Sequence, residues 1–411
     1  MRLREWGGRV RCAAGGGDRG RGRWRGGLAA VAVLAVVAAA GCSVLLPRGG
    51  GAAGSGAPGS GGLAPAGGAG EAGSGEQVTP GGTGGLSGTG VPGGTDLRSG
   101  VVGGALFGGD LPLVPETGRL GRRLAIVRAY FTFGEQFPNA EVKAELQTGS
   151  TVLASLDSVA GQGQGSYASI AAGQHDATIM RFLQQMEQAA VSYHLGAIYF
   201  SFEHEADTPP HLVLGTAAQF VQAWDHVHAL AASAHLLWNQ GGRLHFVLIL
   251  THLSYAPAGS LPRAARIGQV GSYFPGRSEV DIVAADGYNH GGCKSAGPRA
   301  ATAGVAAGSK TVTPGDLFDP VLSFARSQGG LPVFIAEWGS QVYAGSSEQA
   351  VFITQMRAFV SANQEIAGAM YWNSHSAQNL GCSSSVNNQP ASLAALAAMG
   401  HSPGLQGHLV P

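Results

Sequence analysis

Two glutamates close apolar runs of strand length in the later half of this 411-residue chain. Glu205 ends the run Ile198-Tyr199-Phe200-Ser201-Phe202-Glu203-His204-Glu205, and Glu337 ends the run from Leu331 to Ala336, ahead of Trp338 and Gly339. An apolar run that finishes in an acid, then in polar or glycine residues, sets the carboxyl at the rim of a sheet rather than in its core. Two such acids from distant parts of a chain suit the cleavage of a glycosidic bond. One carboxyl protonates the leaving oxygen and the other attacks or stabilises the sugar cation. Glu203 lies two residues before Glu205, and strand alternation puts both on one side unless the strand bulges, so either residue qualifies as the acid on pattern alone.

Something must hold these acids opposite each other. Short apolar runs at 100–107, 124–130, 151–156, 196–202, 244–250, 280–285, 331–336 and 366–371 read as eight strands. Helical patterns fall between most of them. One starts at Asp176 as N-cap and carries Ile179, Phe182, Leu183 and Met186 on one face; others cover 217–237, 314–327 and 347–363, and 110–122 reads as a weaker helical connection. Eight strands with intervening helices over about 300 residues predict an α/β fold, a (β/α)8 TIM barrel. An open doubly wound sheet is disfavoured, because no glycine-rich phosphate loop follows the first strands.

Barrel chemistry sits at the C-terminal strand ends. Those ends carry Tyr130 and Phe133, Asp157, His204 and Glu205, Thr251 and His252, then Asp286, Tyr288, Asn289 and His290, then Glu337 and Trp338, and last Trp372, Asn373 and His375. Glu205 and Glu337 fall on the fourth and seventh strands, nearly opposite across the rim. The retaining mechanism needs carboxyls about 5–5.5 Å apart, with one kept ionised and the other protonated. Tyr288 is placed to donate to Glu337, and His204 to order Glu205. Trp338, Trp372, Tyr371 and Tyr130 offer flat faces for sugar rings, with Asn289 and His252 beside them. Asp286 reads as a structural residue that turns the loop before Tyr288. Four strand-end histidines (204, 252, 290 and 375) invite a metal reading, but barrel metallohydrolases usually open with His-x-His on the first strand and 100–107 has none. No metal and no cofactor is expected.

Composition bounds the partners. Net charge is zero and only 12% of residues are charged, which gives no basic footprint for nucleic acid. Residues 1–41 combine an arginine-rich leader with an apolar stretch over 28–40, too short to span a bilayer, and read as a lipoprotein-type signal peptide. Ala39-Ala40-Gly41-Cys42 is similar to a lipobox, so Cys42 is the expected lipidation site and the membrane a partner through that lipid. Residues 42–98 are rich in glycine, serine, alanine and proline and form a tether; about 50 such residues reach roughly 40 Å. The barrel is assigned to 99–402. Cys293 and Cys382 lie in polar loops and, in an exported protein, are expected to pair as a disulfide. A monomer on the outer face of a bacterial cell membrane, or secreted, is the expected form.

Phe202-Glu203-His204-Glu205-Ala206-Asp207 resembles the His-Glu-Met-Asn segment of family-26 glycoside hydrolases, the β-mannanase-like branch of the retaining (β/α)8 clan. The run from Val280 to Asn289 resembles their strand-six segment, and the run from Pro332 to Gly339 their nucleophile segment. The resemblance implies Glu205 as acid/base, Glu337 as nucleophile, Tyr288 as the nucleophile's hydrogen-bond partner and His204 beside the cleaved bond. It also implies endo action on a β-linked polysaccharide of mannan, glucan or xylan type. Ala206-Asp207 stands where that family has Met-Asn, and Leu250-Thr251-His252 lacks a tryptophan, so mannan itself is not implied. A glycan-binding lipoprotein that keeps the barrel without turnover is the alternative from another class.

Overall fold

The computed structural model describes residues 98–158, 165–257, 269–289, 305–306, 312–344, 346–374 and 383–410. The expected signal peptide, Cys42, the tether before residue 98, the Cys293–Cys382 pair, His290 and His375 lie outside the described residues.

Eight parallel strands close into a barrel in chain order. They are β1 (Leu106–Asp110), β2 (Ile126–Thr132), β3 (Thr151–Asp157), β4 (Ile198–Phe202), β5 (Leu244–Thr251), β6 (Ile282–Asn289), β7 (Val333–Ser340) and β8 (Ile366–Tyr371), with β8 pairing both β7 and β1. Both faces of such strands are covered, so they read as apolar runs rather than alternating ones. Leu106, Ile126, Leu153, Tyr199, Val247, Ile249, Ile282, Phe334 and Met370 fill the lumen. Their neighbours Phe107, Val127, Val152, Phe200, Phe246, Val283 and Ile335 face the helix layer.

The helices that matter to the site are α1 (Ala140–Gln147), α2 (Asp176–Ser192), α3 (Ala217–Ser233), α4 (Pro314–Ser327), α5 (Glu348–Ala362) and α6 (Pro390–Gly400). Their starts are written in the sequence. Asn139 caps α1, and Thr216–Gln219 and Thr313–Asp316 form capping boxes on α3 and α4 that satisfy otherwise unpaired first-turn N–H groups. His175, not Asp176, takes the N-cap position of α2; Asp176 is the first helical residue, where its charge favours the helix N-terminus. Pro112 and Pro115 turn the connection after β1 into a 3-10 segment over Leu111–Glu116 followed by one helical turn, Thr117–Leu120.

Two departures from the expected strands matter. The run 100–107 is divided: Val101–Val102 pairs antiparallel with His408–Leu409, and only Leu106 onwards joins the barrel. Gly103 and Gly104 make the break, with φ of +77° and +114°. A Cβ on Gly104 would lie 2.8 Å from the Gly404 carbonyl oxygen, so no other residue fits this turn. The second departure is a bulge in β7. Ile335 pairs with Ala285, but Glu337 pairs with Asp286, leaving Ala336 as the extra residue; the register to β8 skips at the same place. From the bulge onward every side chain changes face.

Candidate active site

The bulge decides which way β7 presents its acid. Phe334 and Ala336 face the lumen, so strict alternation would send Glu337 outward and Trp338 inward. The extra residue reverses this. Glu337 aligns with the lumen-facing Asp286, and Trp338 aligns with Gly287 and packs outward against Phe352 and Tyr371. Trp338 is fully buried in the helix-facing core, which corrects its expected place on the sugar-binding face.

Glu337 is buried and surrounded by donors. The Tyr130 hydroxyl donates to Oε1 and the Tyr288 hydroxyl to Oε2. The His204 Nε2 lies 3.2 Å from Oε1, and the Arg128 Nε 3.8 Å from it. Burial pushes the carboxyl up, but the His204 ring and its hydrogen bond, with Arg128 and Tyr130, outweigh burial and hold Glu337 below its ordinary value. The group is an anion at neutral pH. Arg128 is itself immobilised: it donates to the carbonyls of Ala129 and Leu153 at 3.0 and 3.1 Å and to the Ser155 hydroxyl at 2.7 Å, with its guanidinium 4.2 Å from the centre of the Tyr130 ring.

Glu205 sits in the opposite electrostatic setting. Burial raises its carboxyl well above the ordinary value; His204 opposes this, while the charges of Asp286 and Glu337 reinforce it. No group of donors like that on Glu337 is gathered round it among the described residues. The backbone explains how it arrives there. β4 ends at Phe202, and both Glu203 and Glu205 adopt left-handed conformations, with φ of +54° and +52°. Such conformations cost about 1–3 kcal/mol each for a side chain larger than glycine. The Glu205 N–H is tied to the Ile249 carbonyl at 3.2 Å, and Asp207 anchors the following turn by accepting from the Thr251 N–H and hydroxyl and from the Ser254 hydroxyl. The carboxyl of Glu203 diverges from that of Glu205. It is buried and accepts from the Ser158 N–H at 3.0 Å, away from Glu337.

His204 and Asp286 join the two halves. The His204 backbone N–H is held by Asp157 at 2.8 Å, and its Nε2 meets both the Asp286 and Glu337 carboxylates. Burial opposes a charge on this ring, but Asp286 and Glu337 overcome it and raise His204 well above its ordinary value. Asp286, raised to about 7 by burial and the charge of Glu337, is thus part of the site rather than only a turn residue. His204 orders Glu337 and Asp286 through its ring; the expected contact with Glu205 is replaced by these.

The remaining sequence candidates divide. Trp372 is half-buried and meets Tyr130 edge-on at 5.6 Å, and Tyr130 lies 5.4 Å from the His204 ring, so these aromatics border the acid pair. His252 is half-buried beside the site, its Nδ1 bonded to the Asp286 carbonyl at 3.1 Å. Asn289 is buried behind the rim: it donates to the Ser340 hydroxyl and accepts from the Tyr343 hydroxyl and the Val312 N–H, which corrects its expected substrate role. Tyr371 is likewise buried and donates to the Ser384 carbonyl. Arg128 was not singled out from the sequence, since a charge in mid-strand carries no motif; its place two residues before Tyr130 on the same face was the available signal. Asp110 was also missed. It lies buried under the site, accepts from the Asn373 N–H at 3.0 Å and is pushed up to about 8, chiefly by burial.

Fold and site together define a closed (β/α)8 barrel with two electrostatically opposed glutamates at the ends of its fourth and seventh strands. No protein-family model and no curated protein matches the sequence. Solved structures to which the chain is similar include glycoside hydrolases. A GH26 β-mannanase from Bacteroides ovatus aligns at a TM-score of 0.48 with 10% identity, over 74% of this chain and 90% of that one. A family 5 xyloglucanase from Paenibacillus pabuli aligns at 0.45 with 13% identity, over 76% and 100%. A GH128 endo-β-1,3-glucanase from Sorangium cellulosum aligns at 0.44 with 16% identity, over 73% and 99%.

Proposed function

We propose that this protein is a retaining glycoside hydrolase that cleaves a β-linked polysaccharide by double displacement. Glu337 is the nucleophile and Glu205 the acid/base. The single observation that carries this is the contrast in setting between the two carboxyls: Tyr130, Tyr288, His204 and Arg128 gather on Glu337 and hold it below its ordinary value, while burial and the charges of Asp286 and Glu337 raise Glu205 well above its own. Glycosyl transfer to a carboxylate requires that division. In the first step Glu337 attacks the anomeric carbon while Glu205 gives its proton to the leaving oxygen. In the second, Glu205 takes a proton from water, which attacks the same carbon and releases Glu337. His204 and the two tyrosines keep the nucleophile's oxygens oriented, and Trp372 and Tyr130 border the space where the sugar ring sits.

The same reading includes endo action on a mannan-, glucan- or xylan-type chain. It also takes the protein to be an exported monomer held at the outer membrane face through lipid on Cys42 and a flexible tether, with Cys293 and Cys382 paired.

Activated aryl β-glycosides and a panel of mannans, xylans and glucans test the enzyme. Glu337→Ala and Glu205→Ala should each abolish turnover. Azide or formate should restore it in Glu337→Ala, because a small anion fits where the carboxylate was removed. Full activity in both variants would overturn the assignment.

A further inference from the structure

Next to the turn that follows β4, three further ionisable side chains converge. Asp157 ends β3, Glu203 follows β4, and His211 lies in the short turn Pro209–Leu212. One ligand-capable atom from each falls within 4.8 Å of the others. None of the catalytic steps above uses Glu203 or His211, and neither histidine nor cluster stood out in the sequence.

The hydrogen-bond directions make this cluster incomplete. The Thr208 hydroxyl donates its only proton to the Glu205 carbonyl at 2.8 Å. It must then accept from the His211 Nδ1–H, 3.2 Å away. With Nδ1 turned to Thr208, the ring presents Nε2 to the cluster. That nitrogen faces Glu203 Oε2 at 3.5 Å. Neither atom has a hydrogen-bond partner among the described residues, and the residues are only 8% and 1% exposed. The Tyr167 hydroxyl is likewise buried and without a hydrogen-bond partner among the described residues. Buried polar atoms left without a partner are unfavourable, and a cation held between them would satisfy them.

We propose that Asp157, Glu203 and His211 bind one divalent transition-metal ion of the zinc or manganese class. One neutral imidazole and two carboxylates match the donor preference of these ions and balance their charge; calcium takes oxygen ligands and is excluded by His211. Ligand atoms about 2.0–2.2 Å from such an ion stand about 3–4 Å apart, which is the Glu203–His211 spacing. The Thr208 bond to His211 Nδ1 is the outer contact that fixes ring orientation at histidine metal ligands. The ion is structural: it braces the turn that carries Glu205 and takes no part in bond cleavage.

The test uses the full chain, stripped with chelator and titrated calorimetrically with Zn2+ and with Mn2+, with metal content read by mass spectrometry. The wild type should take up one equivalent of one of these ions and melt at higher temperature with it bound. Glu203→Gln and His211→Asn should lose that equivalent and melt at the same temperature with and without metal, while Glu337→Gln keeps it. Absence of stoichiometric uptake by the wild type overturns the proposal whatever the variants do. So does retention of the equivalent in both Glu203→Gln and His211→Asn, or its loss in Glu337→Gln, which would move the ion to the His204–Asp286–Glu337 cluster. Because the readouts are uptake and melting, the result stands apart from whether the protein hydrolyses glycans.

Discussion

Tyr288→Phe isolates one of the contacts that keeps the nucleophile charged. The ring stays, and only the hydroxyl that donates to Glu337 Oε2 is lost. A hydrogen bond to a charged group contributes about 1.5–3 kcal/mol. At 1.36 kcal/mol per tenfold change, the proton affinity of Glu337 should rise roughly 10- to 150-fold in the variant. The sign follows from the direction of the native shift. Glu337 is held below its ordinary value, so activity that needs its anion is present above that point and fades as pH falls through it. Removing a donor raises the point at which the anion is lost. The acid limb of the kcat/KM profile on an aryl β-glycoside, which reports the free enzyme, therefore moves to higher pH. The basic limb, set by loss of the proton from Glu205, stays in place. An acid limb that does not move, or that moves to lower pH, would refute the claim that Tyr288 tunes the nucleophile. Tyr130→Phe, acting on the other oxygen, should move the same limb in the same direction.

Two further outcomes follow from residues around the site. Trp338→Ala should lower stability by about 3–5 kcal/mol in urea unfolding, as expected for emptying a fully buried aromatic site, and leave KM of the folded protein unchanged. Arg128→Met should also cost about 3–5 kcal/mol by chemical denaturation, because it removes a buried cation beside the Glu337 anion together with its hydrogen bonds to the Ala129 and Leu153 carbonyls and the Ser155 hydroxyl.

Glu203 and Glu205 both carry left-handed backbone. Two non-glycine residues in that conformation, two positions apart, separate carboxyls that alternation would hold on one side. Glu205 lies within reach of the charges of Asp286 and Glu337, whereas Glu203 turns toward Ser158 and His211. The cost of this backbone is offset locally by Asp207, which clamps the turn to the end of β5 with three donors, and by the Thr208 hydroxyl on the Glu205 carbonyl.

The order of strands and helices was written in the chain itself. Apolar runs of strand length, capping residues such as Thr216 and Thr313, and acids at run ends are local signals, and a closed parallel barrel is the arrangement that covers both faces of eight such strands. Periodicity alone could not tell which side of a strand faces the lumen. One extra residue at Ala336 turned Glu337 inward and Trp338 outward, and a bulge is a property of pairing with β6 and β8 rather than of the run itself. Asn289 and Tyr371 were assigned to the cleft for the same reason and proved to be braces behind it. Arg128, Asp110 and His211 carry no local motif; their roles exist only because folding brings them against Glu337, Asn373 and Glu203, where burial makes each unpaired charge or lone pair consequential.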